Sequence, residues 1–161
     1  MLDHLQAVLL RDLASLRLEI EAYPDEAQLW ATPAGISNSA GTLTLHCAGN
    51  LQHFIGACLG GTGFVRDREG EFGRRDVPRA ELVAGLKVAA QVVERVLNGL
   101  DPARLDEGFP VDFKGRTIPT GRFLLHLATH LAYHLGQVDY HRRVVTGQGA
   151  LAGVVGIPFQ P

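Results

Sequence analysis

Four long stretches of the chain carry apolar residues at helical spacing, and this repetition constrains the fold more than any other feature. The stretches cover residues 1–23, 42–60, 78–100 and 119–145. In the first stretch the apolar positions are Leu5, Val8, Leu9, Leu13, Leu16 and Ile20, and in the second they are Leu43, Cys47, Leu51, Phe54 and Cys58. In the third stretch they are Leu82, Leu86, Ala89, Val93 and Val96 or Leu97, and in the fourth they are Leu124, Leu127, Leu131, Leu135 and Val138. Each set falls on one face of an α-helix. Such helices bury their apolar faces against one another, which predicts an all-α four-helix bundle.

The segments between these helices are rich in residues that break helices. Residues 64–77 are predicted to form a polar loop. Asp76 and Pro78 resemble a helix start, with Asp76 as the cap and Pro78 in the first turn of the third helix.

The segment before the last helix has a different pattern. Residues 109–120 alternate apolar and polar side chains around a Lys-Gly pair, which predicts a short hairpin or an extended loop. Residues 147–161 are predicted to form an irregular tail. The whole chain, 1–161, is expected to be a single domain, since its length suits one core.

Composition narrows the function classes. The net charge is −2, and no basic run is present, so the sequence gives no electrostatic reason to expect nucleic-acid binding. No window offers about 18 uninterrupted apolar residues, so no membrane span is expected. A small-molecule substrate is among the expected partners.

Both cysteines, Cys47 and Cys58, fall in the second predicted helix. At the rise of an α-helix they lie about 16 Å apart, which is too far for a disulfide. We therefore expect two free thiols, of the kind found in the reducing cytoplasm, packed as small apolar side chains.

Three of the seven histidines recur at intervals of four: His126, His130 and His134. On the last helix, His130 and His134 fall at the edge of the apolar face, while His126 turns away from it. On the second helix, His46, Asn50 and His53 form a polar strip beside the core.

This pattern has two interpretations. An i, i+4 histidine pair can present two imidazoles to one ion, and a third histidine from a facing helix completes a typical bundle site. Neutral imidazoles suit a late first-row divalent ion such as zinc or nickel. Alternatively, each histidine faces solvent or makes its own hydrogen bond in the core.

The motifs resemble those of the DinB-like family of bacterial four-helix bundles. The resemblance rests on "TLHCAGN" in the second helix, on "FVRDREGEF" after it, and on "THLAYHLGQV" in the last helix. It implies a divalent metal held by His46, His130 and His134, with the remaining coordination positions open to water. Members of the family are often dimers, so a homodimer is expected. Some relatives are S-transferases or isomerases that use bacillithiol, mycothiol or glutathione. Leu135 departs from the commoner pattern, in which an arginine follows the second histidine.

Two functions follow as hypotheses. The first is a metal-dependent enzyme, a transferase or hydrolase, with a thiol S-transferase as the favoured case. The second is a non-catalytic, metal-binding stress-response bundle that acts through partner contacts. No catalytic residue can be named from the sequence.

Several polar residues receive provisional roles. Asn50 either orients a ligand or bonds to a neighbouring loop, and Gln137 either packs or supports a metal ligand. Within the Arg66–Phe72 loop, Arg66 and Arg68 either meet a thiol cofactor's acidic groups or pair with Asp67, Glu69 and Glu71. No role is assigned to the remaining histidines, which are His4, His53, His126 and His141.

Overall fold

The computed structural model describes residues 1–155, and its long helices form a four-helix bundle. The helices are α1 (Leu2–Glu21), α2 (Ala40–Leu51), the short α3 (Arg68–Gly73), α4 (Arg79–Asn98) and α5 (Thr120–Thr146). No strand occurs within residues 1–155. The predicted all-α four-helix bundle is therefore confirmed.

The order of the helices around the bundle places α2 beside α5. Both α1 and α2 pack against α4 and α5, while α1 and α2 contact each other only slightly. Going around the bundle, the order is α1, α4, α2, α5. Most of the predicted apolar positions form one continuous core, in which Leu9, Leu16, Val93 and Leu124 are fully buried. At the end of the second helix the prediction is wrong, because Ile55 and Leu59 are buried while Phe54 and Cys58 are only partly buried.

The second helix is longer than its α-helical part. Residues Gln52–Leu59 continue α2 as a π-helix. Because a π-helix bonds residue i to residue i+5, it brings side chains five apart together. Here it places Cys58 Sγ 3.6 Å from His53 Nε2.

The predicted polar loop after the second helix contains α3, so the expectation of a loop throughout residues 64–77 is wrong. The Asp67 side chain caps this helix by accepting from the backbone N–H of Gly70. Six residues are too few to show a helical period in the sequence.

The predicted cap of the third long helix is also wrong. Asp76 adopts a left-handed backbone conformation with φ 54°, and Pro78 occupies the N-cap of α4 without a side-chain cap. Glu26 supplies the missing acceptor, because its Oε2 takes the Arg79 backbone N–H at 3.0 Å. Glu26 lies in a 3-10 turn far away in the sequence, so no local pattern could reveal this contact.

The segment before α5 folds as a hairpin-like loop held by one antiparallel bridge between Gly108 and Pro119. Its turn uses Lys114 and Gly115, both at positive φ. Of the predicted irregular tail, residues 147–155 contain no helix or strand, and residues 156–161 lie outside the described part of the chain.

A buried ion pair ties the last helix to the first. Arg142 and Glu19 are both fully buried, and Arg142 Nε donates to Glu19 Oε2. One residue earlier, His141 is buried between the Tyr23 hydroxyl and the Ala31 carbonyl, each 2.8 Å away. No helix in residues 1–155 has the length and apolar character needed to cross a membrane.

Candidate metal centre

Three predicted histidines meet where α2 faces α5. His46 is buried on α2, and the half-buried His130 and His134 lie one turn apart on α5. Their candidate ligand atoms all lie within 4.8 Å of one another. His130 Nε2 is 3.3 Å from His46 Nε2 and 3.1 Å from His134 Nε2. The structure thus brings together the three side chains that the sequence interpretation grouped.

These distances suit a shared divalent ion. Two imidazole nitrogens bound tetrahedrally to zinc at 2.0–2.1 Å lie about 3.3 Å apart. Both nitrogen separations at His130 are close to that value. Two of the three nitrogen separations therefore already match those of a shared ion, and all three ligand atoms lie within 4.8 Å of one another.

His46 is oriented from behind by Glu71 on α3. Its Nδ1 donates to Glu71 Oε2 at 3.0 Å, and both residues are buried. The carboxylate can only accept, so in the neutral ring the hydrogen of His46 is on Nδ1 and the lone pair is on Nε2. An imidazole bonded to a carboxylate through its other nitrogen is a common arrangement at metal sites, and it fixes both tautomer and ring orientation.

Arg66 holds Glu71 in place. Its Nε and Nη2 donate to the two carboxylate oxygens at 2.7 and 2.8 Å. Burial raises the pKa of Glu71, but the hydrogen bonds from Arg66 and His46 outweigh it, so the net pKa is lowered. Of the two interpretations of this loop, the structure shows pairing for Arg66, and its pair with Glu71 is largely buried rather than on the surface. The Arg68 guanidinium instead lies over the Phe72 ring, 5.1 Å from its centroid.

Sequence reasoning did not single out Glu71 as a functional residue. The structure explains Gly49, two residues before the end of α2, because a Cβ at that position would overlap Glu71 Oε1. The glycine leaves space for the carboxylate to reach His46. Nothing in the sequence alone links residues 49 and 71, since they lie on different helices.

His134 is supported in a similar way from its own helix. Its Nδ1 donates to Gln137 Oε1 at 2.7 Å. The predicted supporting role of Gln137 corresponds to this contact. His46 and His134 therefore both direct unprotonated Nε2 atoms at His130. A single hydrogen on His130 Nε2 can be donated to the Nε2 of His46 or to that of His134, but not to both at once. One bound cation can accept the lone pairs of all three Nε2 atoms.

The cluster also favours neutral imidazoles. Burial lowers the pKa of His130 to about 4, with added effects from His134, His46, His126 and Arg66. Burial likewise lowers the pKa of His134, against the opposing effect of Gln137. Neutral rings keep the lone pairs that a metal requires.

Asn50 lies one turn beyond His46 and is buried. Within residues 1–155, its Oδ1 has no hydrogen-bond partner. The expected alternative, a bond to a neighbouring loop, is not present for this atom. A buried amide oxygen without a partner is available to accept from a ligand.

The other histidines lie outside the cluster. His126 is exposed, with its ring centroid 5.9 Å from that of His130. His53 contacts Cys58 instead. Both cysteines are free, as expected, with Cys47 buried and Cys58 half-buried.

Comparison with known proteins gives one match. The family model described as the DinB superfamily matches residues 2–138, which include all three clustered histidines and Glu71. No curated protein and no solved structure matches the chain.

Proposed function

This chain belongs to the DinB superfamily, and from that premise we propose that it is a metal-dependent enzyme, a thiol S-transferase with a three-histidine divalent-metal centre. The thiol would be a small cellular one of the bacillithiol, mycothiol or glutathione type. Zinc and nickel are the proposed ions, because neutral imidazoles suit both. Two free thiols fit a protein that works in the reducing cytoplasm.

One observation carries the proposal. The Nε2 atoms of three imidazoles meet, while Glu71 and Gln137 hold two of the rings from behind. Three protein ligands leave a coordination position for a reactant, which is the arrangement of catalytic rather than structural zinc sites. When bound, a divalent ion lowers the pKa of a thiol or water ligand towards neutrality.

The chain's own residues contribute orientation and binding. Glu71 and Gln137 fix the ring planes of His46 and His134, so the lone pairs are preorganised for binding. The free Oδ1 of Asn50 accepts a hydrogen bond from an N–H or O–H group of the thiol cofactor, or from one on the electrophilic substrate beside it. The thiol gives up its proton to water, and its sulfur forms a C–S bond to the electrophilic carbon of the second substrate. The bond from that carbon to its leaving group breaks at the same step, and the leaving group departs with the electron pair.

A second function, a non-catalytic metal-binding bundle that acts through partner contacts, is favoured by the outer face of α5. Leu125, Tyr133, Tyr140 and Val144 are large apolar side chains that are all more than half exposed. Apolar exposure of this kind on one helix is typical of a contact surface. The part of this face formed by Leu125 and Tyr133 would serve the proposed homodimer.

Elemental analysis of the purified protein tests the metal site. We expect about one divalent ion per chain in the wild type and a sharp loss in both His46→Ala and His134→Ala. His126→Ala is the matched control, because this exposed histidine lies one turn from His130 on the same helix. Wild-type metal content in both test variants would overturn the ligand set.

A turnover assay distinguishes a metal-dependent enzyme from a non-catalytic metal-binding bundle. A panel of small thiols with a reactive electrophile is assayed with and without added zinc, nickel or manganese. Metal-dependent turnover that is lost in His130→Ala supports the enzyme. Tight metal binding without turnover across the panel supports the binder.

A further inference from the structure

A cleft of about 470 Å³ lies between residues 33–38 and the second half of α5. This volume is in the range of small-molecule sites. Three of the side chains that line it, Ile36, Tyr140 and Val144, are large, apolar and substantially exposed. The cleft therefore offers apolar surface that the described residues leave uncovered.

The lining contains no charged side chain. Its polar members are Ser37, Asn38, Gln137 and His141. His141 donates through Nε2 to the Ala31 carbonyl, and its Nδ1 pairs with the Tyr23 hydroxyl, so both ring nitrogens already have partners in the protein. A second cleft, between α2 and α4, instead contains four charged side chains. Desolvating an unpaired charge is costly, so the lining of the first cleft suits an uncharged ligand.

The cleft adjoins the candidate metal centre through two residues. Gln137 lines the cleft and also accepts from His134 Nδ1. Leu43 lines it from α2, one turn before His46. The amide oxygen of Gln137 accepts the hydrogen bond from His134 Nδ1. Within residues 1–155, the amide nitrogen of Gln137 makes no hydrogen bond. That nitrogen is a free donor at the edge of an apolar cleft.

We propose that this cleft binds the apolar part of the electrophilic substrate, an uncharged and mainly aliphatic or aromatic molecule with a carbonyl-type acceptor directed at the Gln137 amide nitrogen. The apolar body contacts Leu43, Tyr140 and Val144. The inference rests on the proposed function, since it assigns a substrate class to the same centre.

Two uncharged fluorescent dyes test the cleft on metal-free protein. N-phenyl-1-naphthylamine has no carbonyl, and prodan carries a ketone. We expect saturable binding of both by the wild type. Val144→Arg should weaken both at least tenfold, because it places a charge in the apolar wall.

Val88→Arg is the matched control, an exposed valine on α4 that lines the second cleft. It should bind both dyes as the wild type does. Loss of dye binding in Val88→Arg with retention in Val144→Arg would place the dyes in the second cleft and overturn the proposal. Equal binding by both variants would also overturn it. Circular dichroism checks that both variants are folded.

Gln137→Met tests the proposed carbonyl contact without adding a charge to the cleft. The substitution removes the amide donor, so prodan should bind about 2- to 10-fold more weakly, the range expected for one neutral hydrogen bond. N-phenyl-1-naphthylamine should change less. An equal change for the two dyes would overturn the assigned acceptor.

Metal analysis of the wild-type protein as purified, before its metal is removed for the dye assays, separates the two proposals. Metal in the purified protein without dye binding would overturn the cleft inference alone. Dye binding by a protein that contains no metal as purified would overturn the proposed function and, with it, the cleft's role as a substrate subsite.

Discussion

At the scale of single residues, Glu71 is the side chain on which the geometry of His46 depends. Glu71→Gln keeps the shape of the side chain but replaces a charged acceptor with a neutral amide. We expect metal affinity to fall about 10- to 100-fold, the usual range for losing such a supporting contact. Competition with a chelator of known affinity measures the change.

Glu69→Gln is the control for that experiment. Glu69 lies on the same short helix and is exposed. The substitution removes the same charge two residues away, so its effect on metal affinity should be small. Equal losses in the two variants would mean that net charge, not the bond to His46, governs affinity.

The two thiols should differ in reactivity. Burial, with a further contribution from the negative charge of Glu71, raises the pKa of Cys47 to about 12. Thiolate forms only as the pH rises towards the pKa, so at pH 8 its fraction is about one in ten thousand. Burial raises the pKa of Cys58 as well, but this residue is half-buried and reachable.

Native protein at pH 8 should therefore release about one equivalent of thionitrobenzoate from Ellman's reagent, and two when denatured. Cys58→Ser should release none in the native state. Rapid release of two equivalents by the native wild type would contradict the buried position of Cys47.

At the scale of elements, the contact between α2 and α3 depends on the missing side chain of Gly49. Gly49→Ala adds a Cβ that overlaps Glu71 Oε1, and this carboxylate cannot shift without breaking its bonds to His46 and Arg66. We expect weaker metal binding in a protein that still folds. Calorimetric titration measures the affinity, and circular dichroism measures the helix content.

Gly85→Ala on α4 provides the comparison. An added Cβ there meets only Ala48, at 3.9 Å, which is ordinary contact. Metal affinity should be unchanged, and stability should rise by up to about 1 kcal/mol through helix propensity. The steric argument fails if Gly49→Ala retains wild-type affinity.

Helical periodicity made the main elements predictable. The repeats around Leu82, Leu86 and Val93 fix which face is buried, because each residue turns the helix by about 100°. The same rotation placed His130 at the edge of the core. The pairing of His46 with His130 came from the family resemblance, since periodicity cannot tell which helices are neighbours.

Other features could not be read from local patterns. Glu71 reaches His46 across 25 residues from a helix of six. Glu26 bonds the start of α4 across 53 residues, where the sequence suggested Asp76. The π-helix after α2 differs from an α-helix by a single hydrogen-bond step, which apolar spacing does not resolve. All three depend on tertiary contacts or on backbone detail.

At the scale of the whole molecule, the ion pair between Arg142 and Glu19 joins α5 to α1. Arg142→Met removes the guanidinium and leaves a buried, unpaired carboxylate. This should lower the free energy of unfolding by about 3–5 kcal/mol. Urea denaturation of metal-free protein measures it.

Arg143→Met is the neighbouring control, with a side chain that is 38% exposed and paired only at the surface. It should cost less than about 1 kcal/mol. Adding Glu19→Leu to Arg142→Met should recover much of the loss, because no buried charge then remains. Equal stabilities for the two single variants would contradict this account of the ion pair.

The π-helical segment has a consequence for length variation. A π-helix accommodates one more residue than an α-helix over the same span, so a chain shortened by one residue within 52–59 could continue as uniform α-helix. The residues after the deletion would keep their places, because the π-helix had absorbed the extra residue within the same span. His46 precedes the segment, and His130 and His134 follow it. Loss of one residue at this point should therefore leave all three candidate ligands in position.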